Sequence, residues 1–213
     1  MSFSTDRDLL SLEPNLFADA VFASQERLSV PDGAISDTTL TSASADFEAA
    51  QVESGDIVLV AAVPCEVIQR VNATTLTISK LRGQLADAAI PPGDGTDLAV
   101  VHRTFAPQAK AVHDALLARL GIDVDDQDAT LTEDAIVSLG VMSRLETLGT
   151  LARVYAAAIV PGGSHNATLQ QKADDYRRRF DLACRTAVVL LDLDGDGRAD
   201  ASRDLGVIEL HRV

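Results

Sequence analysis

Hydrophobic and polar positions along this chain change rhythm three times. In TDRDLLSLEPNLF, Leu9, Leu10 and Leu12 form a short apolar run that Pro14 ends. Thr5 suits an N-cap, and Asp8 lies three residues on, where its carboxylate can reach back to the cap amide. Leu16, Phe17, Val21 and Phe22 predict one face of a second short helix. From about Leu28 to Phe105 the helical period disappears, and β-branched residues alternate with turn signals. Pro31-Asp32-Gly33 reads as a turn, followed by strands in AISDTTLTS, IVLVAAV, CEVIQRV, TTLTISKL and LAVVHRTF. Four or five short strands at such spacing predict a small barrel or curled sheet.

The helical rhythm returns at Ala106. Pro107 suits a first turn, and Val112, Leu116, Leu117 and Leu120 make a stripe that Gly121 ends. Thr130 and Glu133 read as a capping box for a long helix carrying Ile136, Leu139, Leu145, Leu148, Val154 and Tyr155. Gly140 and Gly149 within it imply close approach by a neighbour. After Pro161-Gly162-Gly163, Ser164 is placed to cap a last helix with Leu169, Ala173, Tyr176, Phe180, Ala183, Ala187 and Leu191 on one face. These two long helices are expected to pair antiparallel. The fold class is therefore α+β, with divisions at 1–27 (N-terminal helices), 28–105 (β-rich), 106–191 (helical) and 192–213 (acidic loop and extended tail).

Composition narrows the function classes. Hydrophobic residues are 46% of the 213 and aromatics only 4%, so the core is built from aliphatic side chains. Eighteen basic residues against 32 acidic ones leave a net charge of −14, which repels phosphate backbones and argues against bulk nucleic-acid binding. The N-terminus has no basic stretch leading into an apolar run, so no secretory signal is expected, and no segment reaches the ~20 apolar residues of a membrane helix. Cys65 and Cys184 have no metal-ligand spacing and are expected to be reduced, buried thiols.

Candidate chemistry is sparse. His102, His113, His165 and His211 form no metal or protease pattern, and adjacent Ser164-His165 is a poor nucleophile and base because the side chains diverge. PPGDGTD lacks the lysine and helix of a phosphate cradle. Asp123, Asp125, Asp126 and Asp128 read either as a cation-gathering cluster or, better, as a solvated connector whose charge favours the N-terminus of the next helix. Arg177-Arg178-Arg179 reads either as a solvated face or as contacts to carboxylates of a neighbouring subunit. No enzyme is expected. The strongest motif is LDLDGDGRADASRD, where Asp192, Asp194, Asp196 and Asp200 match positions one, three, five and nine of a calcium loop and Gly197 matches the sixth. The twelfth position is Arg203 rather than a bidentate Glu, with Asp204 one residue further. Two readings stay open: a weak calcium site, or a structural turn with no cofactor.

Both ends of the chain point to one family. STDRDLLSLEPNLFADA resembles the TxxDLLxxEPxLF opening of head–tail connector (adaptor, or head-completion) proteins of long-tailed double-stranded DNA bacteriophages and gene transfer agents. LLDLDGDGRADASRDLGVIELHR is similar to an acidic loop and short apolar tail of phage neck proteins. The resemblance implies a helical bundle with the β-rich segment as an insertion, a departure from the smallest, nearly all-helical adaptors. It also implies a structural virion protein made in the host cytoplasm and placed at the head–tail junction. Implied partners are the portal protein, a stopper or tail protein, and copies of the chain in a ring, expected to be a dodecamer, through which DNA passes without specific binding. Val207, Ile208 and Leu210 are the candidate portal anchors. The alternatives are a calcium-stabilised monomeric interaction module, or another virion part such as a stopper or tail-completion protein.

Overall fold

The computed structural model describes residues 2–122, 131–160, 163 and 165–206. They divide into two compact units, one of Thr5–Phe105 and one of Met1–Ser4 with Ala106–Val213.

The first unit is a closed antiparallel barrel of six strands with short helices at its start. Helix α1 (Asp6–Leu12) has Thr5 as N-cap, and the Thr5 amide donates to Asp8 Oδ2 at 2.9 Å, as the capping pattern predicts. Helix α2 (Leu16–Asp19) stops well short of the expected face. Leu16 and Phe17 are buried, but Val21 is exposed and Ala23–Gln25 form a 3₁₀ turn that leads into the barrel.

The strands are β1 (Glu26–Ser36), β2 (Thr39–Thr41), β3 (Ile57–Val60), β4 (Val63–Asn72), β5 (Thr75–Ser79) and β6 (Gly95–Arg103). They close in the order β1-β2-β5-β4-β3-β6. Leu40, Phe47, Val52, Val58, Cys65, Leu76, Ile78 and Val100 fill the interior. Closure leaves no open sheet edge in the ring.

Three expected breaks fall elsewhere. Pro31-Asp32-Gly33 is not a turn but a register shift inside β1, where pairing with β6 skips from Val30 to Gly33. A Cβ on Gly33 would collide with Val100 and the Leu98 carbonyl of β6, so the bulge needs glycine for close approach. AISDTTLTS is a hairpin rather than one strand, turning after Ser36 at Asp37, whose φ is 57°. IVLVAAV likewise ends at Val60, and Ala61 and Ala62, with φ of 49° and 65°, make the two-residue turn into β4. Pro64 therefore lies inside β4. Its missing N–H breaks no pairing with β5, which begins at Glu66.

The second unit holds α3 (Ala106–Arg119), α4 (Leu139–Ala157) and α5 (Asn166–Thr186), with a hairpin of β7 (Val188–Leu191) and β8 (Ala201–Asp204). Leu116, Leu117, Leu120, Met142, Leu145, Cys184, Val189 and Leu191 share one core. Helices α4 and α5 run antiparallel: Tyr155 stacks on Tyr176 at 5.9 Å, while Gly149, earlier in α4, meets Phe180, later in α5.

The long helix begins at Leu139, not after Thr130. Glu133 sits in a separate 3₁₀ turn capped by Thr132, and Thr130 lies outside the described residues. Ile136 then runs alongside Leu191 as a bridge. The last helix ends at Thr186, so Leu191 belongs to a strand. Residues 192–213 are not simply loop and tail, because β8 lies within them. Ser164 and Val207, Ile208 and Leu210 lie outside the described residues, as do Asp123, Asp125, Asp126 and Asp128.

Candidate functional site

The acidic motif forms the loop of the β7–β8 hairpin. Asp192 accepts at both carboxylate oxygens, from the amides of Gly195 and Gly197, each at 2.7 Å. The Gly197 bond is the main reason its pKa lies below the ordinary carboxylate range. Positive φ at Gly195 (79°) and Gly197 (83°) lets the chain fold back over this carboxylate. Asp200 Oδ2 accepts from Leu193 N at 3.0 Å and Asp194 N at 3.3 Å. Carboxylate oxygens of Asp192, Asp194 and Asp200 lie within 4.8 Å of one another. Asp196 is not in that group; its Oδ1 accepts from Arg198 N at 2.8 Å.

The twelfth-position problem has a structural answer. Arg203 turns away and donates to the Leu120 carbonyl beyond the C-terminus of α3. Asp204 does not join the three clustered carboxylates; its Oδ1 accepts from Gly206 N at 2.8 Å. Three carboxylates without a bidentate ligand form a half-shell for a hard cation and no more.

An apolar face lies beside this loop. Val188 and Leu190 point outward from β7, while Val189 and Leu191 point into the core. Val137 N donates to the Leu190 carbonyl at 3.0 Å, which sets exposed Val137 alongside Leu190. Leu139 and Leu193, 56% and 59% exposed, follow along the chain. The sequence reading missed this face because VVLL is continuously apolar and shows no period of two. The only local signal was its place between a helix end and an acidic loop.

Buried polar groups are more extensive than the sparse motifs suggested. In the helical unit, Glu146 is fully buried. It accepts from Phe3 N (3.1 Å), Ser4 N (3.0 Å) and Ser4 Oγ (2.8 Å), and its Oε2 lies 3.0 Å from His113 Nδ1. The other imidazole nitrogen lies 3.2 Å from Glu133. Ser4 thus donates to a carboxylate rather than to an imidazole, an anchoring arrangement and not an activated nucleophile.

In the barrel unit, Arg7 and Arg82 both bind fully buried Glu66. Nearby, Asp6 Oδ1 accepts from Phe105 N at 3.0 Å, yet burial, with Asp56 adding repulsion, pushes the Asp6 carboxyl up to about 7. His102 Nε2 stands 3.3 Å from Asp56 but off the line of a hydrogen bond.

The remaining candidates separate. His102 and His113 are buried in different units, His165 is the N-cap of α5, and His211 lies outside the described residues. Cys65 and Cys184 are free and buried, and burial pushes the Cys65 thiol up to about 11, as expected of inert thiols. Arg178 and Arg179 pair with Asp175 of their own helix at 2.6 and 2.7 Å. Among the described residues, no helix is long and apolar enough to cross a membrane. No family model, curated protein or solved structure matches this chain.

Proposed function

We propose that this chain is a structural protein of the phage neck, an adaptor that docks under the portal as a ring and joins the DNA-filled head to the stopper or tail. The observation that carries this reading is the apolar face of Val137, Val188 and Leu190. Large aliphatic side chains gathered on one exposed face mark a surface built to be covered by protein.

The opening motif supports the same reading by its folded form. Leu9, Leu10, Leu16 and Phe17 are all buried, so TxxDLLxxEPxLF acts as a packing unit of two short helices broken at Pro14. In this reading the long α4–α5 pair is the adaptor's bundle, and the barrel is its inserted subdomain. A net charge of −14 suits a channel that DNA traverses without adhering.

Quantitative mass spectrometry of purified, DNA-filled particles tests the proposal. A ratio to portal protein near one-to-one is expected, and absence from particles overturns it. Removing residues 207–213 should leave a folded chain that no longer enters particles.

A second reading rests on the Asp192, Asp194 and Asp200 cluster: a calcium-stabilised interaction module acting as a monomer. A large rise in melting temperature near micromolar calcium would favour it, whereas the adaptor reading expects little change.

A further inference from the structure

The helical unit carries a 750 Å³ groove lined by α3, α4 and α5. Its apolar floor exists because Gly149 of α4 has no side chain. A Cβ there would stand 2.6 Å from Val112 of α3 and 3.0 Å from Phe180 of α5. Around the floor stand three guanidinium groups, Arg119, Arg153 and Arg177, against one carboxylate, Asp181. Arg119 lies over the Phe180 ring at 5.5 Å. Arg153 and Arg177 are exposed and form no ion pair among the described residues. Gln108 also lines the groove, and its Oε1 is a buried acceptor without a hydrogen-bond partner among the described residues. In so acidic a chain, a basic rim around an apolar floor selects an acidic partner that carries an apolar tip.

The chain has such a segment of its own. Leu193 is exposed between Asp192 and Asp194, and Asp194 and Asp196 are themselves exposed. Hydrogen bonds to Asp192 and Asp200 hold the loop in shape, so docking has little loop entropy left to lose. We infer that the Asp192–Asp200 loop of one copy docks in the α3–α4–α5 groove of the next. Leu193 meets the floor beside Phe180, and Asp194 and Asp196 face Arg153 and Arg177. Groove and loop are different patches, so the contact is able to repeat head-to-tail and close into a ring when the rotation permits, whereas reciprocal exchange stops at a dimer, which sedimentation separates by mass. The inference rests on the reading of the chain as a ring-forming adaptor and names the contact that would build the ring.

Sedimentation velocity of the full chain in calcium-free buffer, over a concentration series at low and high salt, tests it. Self-association weakened by salt is expected. The pair Arg153→Glu with Arg177→Glu, and separately Asp194→Arg with Asp196→Arg, should each weaken association at least about ten-fold. Circular dichroism should stay unchanged. An equimolar mixture of the two variants should associate again, because the native loop of one meets the native groove of the other and the reversed loop meets the reversed groove.

Association that ignores both reversals, a mixture that fails to recover, or a chain that stays monomeric at every concentration overturns the inference. Particle composition decides the neck reading separately. Portal-matched abundance without this contact sinks only the inference, and the contact without abundance in particles sinks only the neck assignment.

Discussion

Among the described residues each unit buries one glutamate completely, and the two are held by different partners. Glu66 in the barrel is clamped between Arg7 and Arg82, and those arginines are themselves nearly buried. Arg82 continues outward to the carbonyls of Leu85 (2.9 Å) and Asp87 (3.0 Å), so the cluster also fixes the loop between β5 and β6. Glu146 in the helical unit is held by two backbone amides, a hydroxyl and an imidazole. The barrel's carboxylate is held by two guanidinium groups, while the helical unit's carboxylate gathers backbone amides and a hydroxyl beside His113 and ties Phe3 and Ser4 into its fold. A buried anion needs partners, but whether they are cations or dipoles decides what is left behind when it is removed.

The largest expected effect follows from that difference. Glu66→Gln leaves buried Arg82 without its counter-charge and Arg7 with only Asp8, at 3.8 Å, and should destabilise the barrel by about 3–5 kcal/mol in chemical denaturation. A loss under about 1 kcal/mol would show that water already reaches the cluster. Glu146→Gln keeps one acceptor and should cost less, about 2–3 kcal/mol, with faster hydrogen exchange at the Phe3 and Ser4 amides. Equal losses at the two sites would break the contrast.

Gly149→Ala comes next. Its new methyl meets Val112 and Phe180, so overpacking should cost about 2 kcal/mol in melts of the helical unit. A neutral result would mean that Phe180 swings aside.

Smallest per pH unit, though cumulative across its window, is a slope with pH at Asp6. Its carboxyl is raised from the ordinary 3.8 to about 7 in the folded chain, so the unfolded chain releases its proton first. The contribution of protonated Asp6 is full below about pH 3.8 and is lost as pH rises through about 7. Stability should therefore fall by up to about 1.4 kcal/mol per pH unit in that window, and Asp6→Asn should flatten the slope. An unchanged slope in Asp6→Asn would show that Asp6 does not carry the pH dependence. Asp32 runs the other way: hydrogen bonds from Ser42 and then Ser44 bring its carboxyl down to about 2, so its contribution holds at neutral pH and fades only in strong acid.

Much of this architecture was legible in residue order. The Thr5–Asp8 cap, the α3 stripe ending at Gly121 and the barrel-like sheet all rest on local spacing, and local spacing survives folding. The acidic loop was legible as a motif and its weak twelfth position as a mismatch. The outward face of β7 was not, because Val188 through Leu191 form one apolar run whether helix or strand follows. Nor was the place of Arg177 on the groove rim, since three consecutive arginines look alike until α3 and α4 lie alongside.

Spacing and composition alone determined that an aliphatic core, a β segment and long helices would form, and that the surface would be strongly acidic. Only tertiary structure decided that Pro31-Asp32-Gly33 is a bulge rather than a turn, because the close approach of β6 makes it one. It decided that Ala61 and Ala62 turn the chain, through the pairing of Val60 with Val63. It also chose the partners of Glu66 and Glu146, which lie up to 143 positions away in sequence. Hydrophobic rhythm is a property of neighbours along the chain, whereas a buried charge is satisfied by whatever the fold brings beside it.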